Sequence, residues 1–451
     1  MNTDPQSSIP GVQWPAIPAG GAAAMLALQF QLEQSQWWPS DKLQAHQFRQ
    51  LSLLLRHAQA TVPYYQSRLA GVVRDREGGL TLDAFRALPL ITRSDIQDAG
   101  NALLSRAVPP DHGAIARGET SGSTGRPIIY YGTNITQLFW RAFTLRDHLW
   151  QRRDFSGKLA AIRWSPGNQE FVGWGPATDG LYDTGPSAVL KIDTPIAEQL
   201  TWLRGQDPDY LLSYASNIAD LARAFITCGA RLPRLKEMRS IAEVVTPELR
   251  RLCHEAWGVP LVDVYSAQEV GYIALQCPDR PHFHLQSENV LVEVLRDDGR
   301  LCDAGETGRI VLTTLNNFAM PLIRYDIGDY AVVGAPCPCG RTLPVLERVM
   351  GRVRNMLVFP NGEKRWPLGD LVKLREITGV RQYQYVQKSR DRLELRMVVD
   401  NNYDRAQERA LAAIVQGKFC YPFQLDFVYV DQIGRSAGGK FEDFVSELPS
   451  D

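Results

Sequence analysis

Strand-like and helical runs alternate through the middle of the chain, and this alternation constrains the fold more than any other feature. The runs LAAIRW, YLLSY and LVDVY are short and rich in aliphatic and aromatic residues, which is typical of strands. NIADLARAFITCGA and TPELRRLCHEAWG carry apolar residues at helical spacing, and the second opens with Thr246 as N-cap and Pro247 as first residue. Strands that alternate with helices predict an α/β fold with parallel layers.

The rest of the sequence suggests an arm and two domains. Residues 1–25 are rich in Pro, Gly and Ser and are expected to form a flexible arm. Residues 26–350 are expected to form a large domain of layered α/β sheets, with a β-rich subdomain from about 277 to 350. Residues 351–451 resemble a small α+β domain, with QYQYVQ, RLELRMVV and QLDFVYVD as strands and DRAQERALAAIVQGKF as a helix.

Composition excludes several classes of protein. The formal net charge of −1 argues against a nucleic-acid binder, and no apolar run reaches membrane-spanning length. The N-terminus lacks the basic and apolar regions of a targeting segment. Seven scattered cysteines, an odd number, do not resemble a disulfide scaffold, so a cytoplasmic location is expected.

A loop rich in glycine and hydroxyl groups, ETSGSTGRP, is the first candidate for ligand binding. Its glycines allow backbone N–H groups to turn toward an anion, and its hydroxyls add donors for phosphate oxygens. No Gly-Lys-Ser/Thr follows at the spacing of a Walker A loop. The alternative interpretation is a polar hairpin turn.

Three further motifs carry groups suited to nucleotide chemistry. Tyr265 and Glu269 follow the strand-like LVDV, where a ring can stack on a base and a carboxylate can hold Mg²⁺. Asp329 follows a Gly turn and can accept hydrogen bonds from ribose hydroxyls. Lys440, on a glycine-rich loop, can neutralise phosphate charge. The alternatives are a strand-to-helix turn with a solvated Glu, a β-turn cap and a flexible surface loop.

These four motifs, in this order, resemble the acyl-adenylate-forming superfamily of acyl-CoA synthetases, luciferases and peptide-synthetase adenylation domains. More narrowly, the chain resembles phenylacetate–coenzyme A ligase and its capsule-biosynthesis-type relatives. The narrower resemblance rests on LEQSQWW, HAQATVPYY, YLLSYASNIADLA, MPLIRYDIGDYA and CPCGRTLPVLERVMGRVRNML. It covers nearly the whole chain beyond the first two dozen residues.

The resemblance implies a role for each motif residue. The loop of Ser121, Gly122, Ser123, Thr124 and Gly125 would hold the ATP phosphates. Tyr265 and Ser266 would contact the nucleotide, and Glu243 would lie near adenine. Asp329 and Arg352 would bind the ribose. Two residues would take part in catalysis: Glu269 near Mg²⁺, and Lys440 between the carboxylate and the α-phosphate.

The resemblance also implies an acyl pocket and a mobile small domain. Trp164, Trp174 and Tyr214 lie in stretches expected to reach the pocket, which suits a flat aromatic acid, although aromatic residues are equally common as core. Ala242 replaces a usual glycine and would narrow the pocket. The hinge would lie near residues 352–355, with Arg354 in place of the usual acidic residue.

Other positions depart from the family pattern. Arg126 stands where lysine is usual, and Asp326 and Ile327 replace the usual Arg and Thr before Gly-Asp.

Cys277, His284, Cys337 and Cys339 form a candidate metal site. Three thiolates and one imidazole would make a closed tetrahedral site for structural Zn²⁺. His282 would face the same side of a strand, and the resemblance favours His284 as the ligand. The alternative is a set of unligated surface cysteines.

The sequence therefore predicts ATP-dependent activation of a carboxylic acid, aromatic in type, to an acyl-adenylate with release of pyrophosphate. Thioester formation with coenzyme A would follow. A carrier-protein thiol or an amine as acceptor, and a nucleotide-binding relative without turnover, are the alternatives. ATP, Mg²⁺, coenzyme A and structural Zn²⁺ are the expected cofactors. The expected partner is a small acid, without nucleic acid or membrane, and a carrier protein and a homodimer stay open.

Overall fold

The computed structural model describes residues 7–8, 16–72, 81–120, 126–352, 356–366, 379–400, 403–436 and 438–448. Its α-helices are α1 (Gly20–Ser35), α2 (Ser40–Thr61), α3 (Leu82–Arg86), α4 (Arg93–Ala99), α5 (Asn134–Trp150), α6 (Ile196–Gln206), α7 (Ala215–Cys228), α8 (Pro247–Trp257) and α9 (Glu408–Phe419).

The strands of the large domain are β1 (Ile115–Glu119), β2 (Ile129–Thr133), β3 (Leu159–Arg163), β4 (Gln169–Phe171), β5 (Ser187–Lys191), β6 (Tyr210–Tyr214), β7 (Glu237–Ile241), β8 (Leu261–Ala267), β9 (Gly271–Gln276), β10 (Phe283–Leu285), β11 (Val290–Leu295), β12 (Thr307–Thr314), β13 (Tyr325–Val333) and β14 (Val345–Arg352). The strands that follow are β15 (Leu357–Val358), β16 (Lys364–Arg365), β17 (Val380–Ser389), β18 (Arg392–Val399), β19 (Gln424–Tyr429) and β20 (Phe444–Ser446).

A single sheet of twelve strands runs through the large domain, in the order β11-β12-β13-β14-β10-β9-β8-β7-β6-β3-β5-β4. The strands β5, β3, β6, β7 and β8 pair in parallel, as their alternation with helices predicts. The β-rich part is antiparallel and joins this half through the β8–β9 pairing. The two parts predicted from sequence are therefore two halves of one sheet.

Helices pack on the sheet from two sides. Apolar residues of α6, α7 and α8 cover one face of the parallel half, and those of α1 and α5 pack against β8 and β9, where the two halves meet. The antiparallel half has its own core beneath α2. Strands covered on both faces lose the polar alternation of half-exposed strands, which explains why these runs are almost continuously apolar.

Local sequence explains where the helices begin. The Thr246 hydroxyl accepts a hydrogen bond from the Leu249 N–H, and Pro247 opens α8, as the capping signal predicts. Helix α1 begins at Gly20 and takes in residues predicted to belong to the flexible arm. Three consecutive alanines follow its two glycines, and alanine has the strongest intrinsic helix propensity.

The small domain contains a four-stranded sheet in the order β19-β18-β17-β20. Helix α9 packs on it through Leu411, Val415 and Phe419. The helix predicted from Asp404 begins only at Glu408, because a short 3₁₀ turn occupies Arg405–Gln407. A helix both long and apolar enough to cross a membrane is absent from the described segments.

Candidate active site

A cavity of about 1460 Å³ lies between the large and small domains, at the carboxyl ends of β6, β7 and β8. Ligands of open α/β sheets bind at this edge of the strands. The volume exceeds the range of about 300–1,000 Å³ that is usual for a drug-sized ligand. The cavity therefore has room for a nucleotide and a second small molecule.

Asp329 on β13 anchors one corner of the cavity. The Tyr265 hydroxyl donates a 2.8 Å hydrogen bond to Asp329 Oδ2, and Arg352 Nε lies 3.7 Å from Oδ1. Desolvation lowers the pKa of the Arg352 guanidinium, but Asp329 and Glu269 raise it more, so the net pKa is raised. The structure thus brings the three residues predicted for the ribose and nucleotide into contact.

Glu269 lies on the same side of the cavity and is 8% exposed. The Tyr325 hydroxyl lies 3.3 Å from Glu269 Oε1. The carboxylate lines the cavity, where it could hold a cation. Ser266, also predicted to contact the nucleotide, lines the same cavity.

Lys440 enters the cavity from the small domain. Burial lowers the pKa of its ammonium, and the Arg352 guanidinium lowers it further, whereas Asp329, Glu269 and Glu243 oppose the shift. Within the described part of the chain, the ammonium forms no ion pair. A half-buried cation that forms no ion pair with described residues is available to an anionic ligand.

Glu243 follows β7 and makes its hydrogen bonds to protein groups. Its carboxylate accepts from the Ser216 N–H at 2.7 Å and from the Phe441 N–H at 2.6 Å. Burial raises the pKa of this carboxyl group, and the two N–H donors oppose that shift. Its predicted place near adenine stays a prediction.

The residues predicted for the acyl pocket all line this cavity: Trp164, Trp174, Tyr214 and Ala242. Trp164 is 57% exposed, so its ring is available for contact with a ligand. The Trp174 indole N–H donates to the Gly157 carbonyl, which fixes that ring as part of the wall. Ala242 has φ of +67°, a left-handed conformation that favours the glycine usual at this position in the family.

The phosphate-loop residues Ser121 to Gly125 lie outside the described residues, and so does the hinge residue Arg354. Thr120 lines the cavity, and Arg93 donates to its hydroxyl at 3.2 Å. The Arg126 guanidinium instead pairs with Asp98 at 3.1 Å on the exposed surface. Arg93 is therefore a cavity cation that the sequence did not predict, and its position as the first residue of α4 gives no local signal of this role.

Cys277, His284, Cys337 and Cys339 come together at the junction of β9, β10 and β14, with ligand atoms all within 4.8 Å of one another. Cys277 Sγ lies 3.8 Å from Cys337 Sγ, and Cys339 Sγ lies 3.5 Å from His284 Nε2. A tetrahedral Zn²⁺ with bonds of about 2.3 Å to sulfur and 2.0 Å to nitrogen requires edges of about 3.8 and 3.5 Å. The donor set therefore fits this ion.

The surroundings of the cluster favour His284 over His282 as the ligand. His284 Nδ1 lies 3.3 Å from the Leu343 carbonyl, an arrangement that directs Nε2 toward the thiols. Burial lowers the pKa of His284 to about 4, so the imidazole is neutral, as a ligand must be. His282 Nε2 lies 3.0 Å from Cys337 Sγ, as a hydrogen-bond partner of a thiolate would.

Comparison with known proteins supports the family resemblance seen in the sequence. Residues 369–447 match the family described as the CapK C-terminal domain. The phenylacetate-coenzyme A ligase of Thermus thermophilus is 27% identical over 337 residues, which cover 71% of this chain and 73% of that protein. The ligase of the same name from Escherichia coli is 27% identical over 344 residues, with the same coverage.

A solved structure with the same fold is that of 2-hydroxyisobutyryl-CoA ligase in the postadenylation state with an acyl-adenylate. It is 18% identical, covers 92% of both chains and gives a TM-score of 0.73. The TM-score falls to 0.59 for that ligase in the thioesterification state. Both structures share the overall fold of this chain.

Proposed function

Because the chain is a phenylacetate–coenzyme A ligase-like member of the acyl-adenylate-forming superfamily, we propose that it joins a carboxylic acid to coenzyme A in two half-reactions. The observation that carries this proposal is the convergence of Lys440, Asp329 and Glu269, from two domains, on one cavity. These residues supply a cation for the reacting anions, an acceptor for ribose hydroxyls and a carboxylate for Mg²⁺.

In the first half-reaction, a carboxylate oxygen attacks the α-phosphorus of ATP and pyrophosphate leaves. Both reactants are anionic, so the protein must hold them together and neutralise their charge. Lys440 is placed to do so, while Asp329 and Tyr265 would orient the ribose. Glu269 would hold Mg²⁺, and the loop Ser121 to Gly125 would hold the departing phosphates.

In the second half-reaction, the coenzyme A thiol attacks the acyl carbon and AMP leaves. The thiol proton passes to solvent. Lys440 lines the cavity from the small domain, so we propose that the thiol reaches the acyl carbon after this domain takes another orientation.

We propose an aromatic acid as the substrate, supported by the exposed ring of Trp164 beside Tyr214 and Ala242 in the cavity wall. Flat rings pack well against aromatic side chains. The names of the Thermus thermophilus and Escherichia coli relatives point to an aromatic acid as well.

A panel of carboxylic acids, scored by ATP-dependent release of pyrophosphate, tests this function. Aromatic acids should give higher kcat/KM than aliphatic acids of equal size. Mass spectrometry of products formed with coenzyme A, with a pantetheine-bearing carrier protein or with an amine identifies the acceptor. Pyrophosphate release with none of the acids would contradict the function and favour a nucleotide-binding relative.

We further propose that the Cys277 cluster holds structural Zn²⁺, because four ligands leave no open position for catalysis. A cytoplasmic setting agrees with the cysteines, all of which are free thiols in the structure. Neither a carrier protein nor a second copy of the chain is required by the proposed reaction.

A further inference from the structure

The segment that carries Lys440 is held against the large domain by a small set of hydrogen bonds, here called the interdomain clasp. Its members are Tyr214, Ser216 and Glu243 of the large domain and Arg435, Gly438 and Phe441 of the small domain. Every bond between the two groups ends on a residue within five positions of Lys440. The clasp therefore determines where this lysine lies.

Glu243 is the centre of the clasp. Its Oε2 accepts from the Ser216 N–H, in the first turn of α7, and its Oε1 accepts from the Phe441 N–H, next to Lys440. The side chain is 9% exposed, and Arg435 Nη1 lies 3.6 Å from Oε1. A carboxylate that accepts from backbone donors at a helix N-terminus makes charge-assisted hydrogen bonds, which are stronger than neutral ones.

Two further bonds support this contact. Arg435 Nη1 donates to the Ser216 hydroxyl at 2.9 Å, and the Tyr214 hydroxyl donates to the Gly438 carbonyl at 2.7 Å. The Tyr214 ring also packs against Gly439, where an added Cβ would lie 2.8 Å from its hydroxyl oxygen. Close approach of the loop to the large domain thus depends on a glycine beside Lys440.

We propose that Glu243 is a positioning residue for adenylation, which holds Lys440 in the cavity by accepting the Phe441 N–H. This inference rests on the proposed function, since it assigns Glu243 to the first half-reaction. Rotation of the small domain would break the clasp and leave the carboxylate without its second donor. Glu243 therefore favours the adenylating orientation over any other, because only that orientation provides both of its partners.

The two hydrogen-bond donors to Glu243 suggest a substitution that tests this contact without changing the size of the side chain. Both are N–H donors, so each must meet an acceptor oxygen. Glu243→Gln keeps the shape of the side chain but turns an NH₂ group against one of the two N–H donors. An unmet donor at a buried site weakens the contact without removing side-chain volume.

The activity test compares the two half-reactions in Glu243→Gln and in the wild type. In Glu243→Gln, the kcat of ATP–pyrophosphate exchange should fall at least tenfold, with a smaller change in the KM for ATP. Conversion of a supplied acyl-adenylate to thioester should be retained. Arg435→Ala should act in the same direction with a smaller effect, and Glu198→Gln, an exposed carboxylate on α6, is the matched control.

The second measurement is amide hydrogen exchange at Phe441, which needs no turnover. Exchange there should be faster in Glu243→Gln than in the wild type, while Leu221 in α7 stays equally protected, as an intact large domain requires. Unchanged Phe441 protection, or equal loss of both half-reactions, would overturn the inference. If no acid supports turnover even in the wild type, the proposed function fails. The amide measurement still tests whether Glu243 holds the Phe441 N–H.

Discussion

At the scale of single residues, Asp329 and its two neighbours form the part of the site with the clearest geometry. A ribose bound there would give up hydration to meet the carboxylate, so removing the carboxylate leaves two hydroxyls unpaired. We expect Asp329→Ala to weaken ATP binding by about 1–3 kcal/mol. Isothermal titration calorimetry measures this, with Asp298→Ala on an exposed turn as control. Equal ATP affinity in both variants would remove Asp329 from the nucleotide site.

Lys440 gives a prediction with a pH dependence. Lys440→Ala should slow ATP–pyrophosphate exchange by several powers of ten and spare conversion of a supplied acyl-adenylate to thioester. Because burial and Arg352 lower the pKa of the ammonium, its charge is lost at lower pH than in an ordinary lysine. We therefore expect kcat/KM for ATP in the exchange reaction to fall as pH rises, with a midpoint below that of an exposed lysine.

Lys440→Arg is the control for this pH profile, because a guanidinium stays protonated throughout the range. Its residual activity should lack the alkaline decline. The same decline in both proteins would assign it to another group.

Ala242 gives a prediction about stability. A left-handed conformation costs an L-residue about 1–2 kcal/mol, whereas glycine adopts it freely but loses about 0.5–1 kcal/mol through unfolded-state entropy. Ala242→Gly should therefore stabilise the protein by about 0.5–1 kcal/mol in urea denaturation without ligand. Ala45→Gly, the same change at an exposed position in the interior of helix α2, should destabilise the protein by about 1 kcal/mol. A change in the free energy of unfolding with the same sign in both variants would contradict this prediction.

The residue scale also separates what sequence could predict from what it could not. Asp329, Lys440 and Tyr265 lie in local sequence motifs from which their chemistry can be predicted, and all three line one cavity. The contact between Glu243 and Phe441 could not be predicted from the sequence, because Phe441 lies 198 positions further along the chain. A side chain's role in a contact of that range depends on how two domains meet, which no local pattern records.

At the scale of elements, the sequence predicted β3, β6 and β8, because each is a short run of aliphatic and aromatic residues, but it did not identify β5 and β7. The continuity of the sheet was not predicted. Strand order in the antiparallel half depends on β14 returning to pair with β10, about 60 positions earlier. Pairing at that distance is set by packing against α2 and by the cysteine cluster, not by the strand sequences alone.

The metal cluster belongs to this scale because it joins three strands. Elemental analysis of protein purified without chelators should give near one zinc per chain. Cys339→Ser should lower the free energy of unfolding more than it lowers ATP affinity, since the site stabilises the fold and lies outside the cavity. Cys420→Ser, at an exposed free thiol, is the control. Zinc-free protein of wild-type stability would rule the site out.

At the scale of the whole molecule, the proposed second half-reaction requires the interdomain clasp to open, because its hydrogen bonds join the two domains. The predicted hinge residue Arg354 lies outside the described residues, so its role stays a prediction from sequence. Proline fixes φ near −65°, which would lock the hinge. We expect Arg354→Pro to preserve ATP–pyrophosphate exchange while suppressing thioester synthesis. Full retention of both activities would mean that no rotation about this residue is needed.

Strand β14 is the only hydrogen-bonded link, within the described sheet, between β11-β12-β13 and the remaining strands. A ribosome releases the chain in order, so strand pairing cannot join the two blocks until β14 has emerged. Cys337 and Cys339 emerge just before β14, long after Cys277. With zinc at this junction, metal capture and closure of the sheet coincide late in translation. Until then the edges of β10 and β13 have no partner strand and can pair wrongly, so a zinc ion held here would matter more for the folding of this protein than for its turnover.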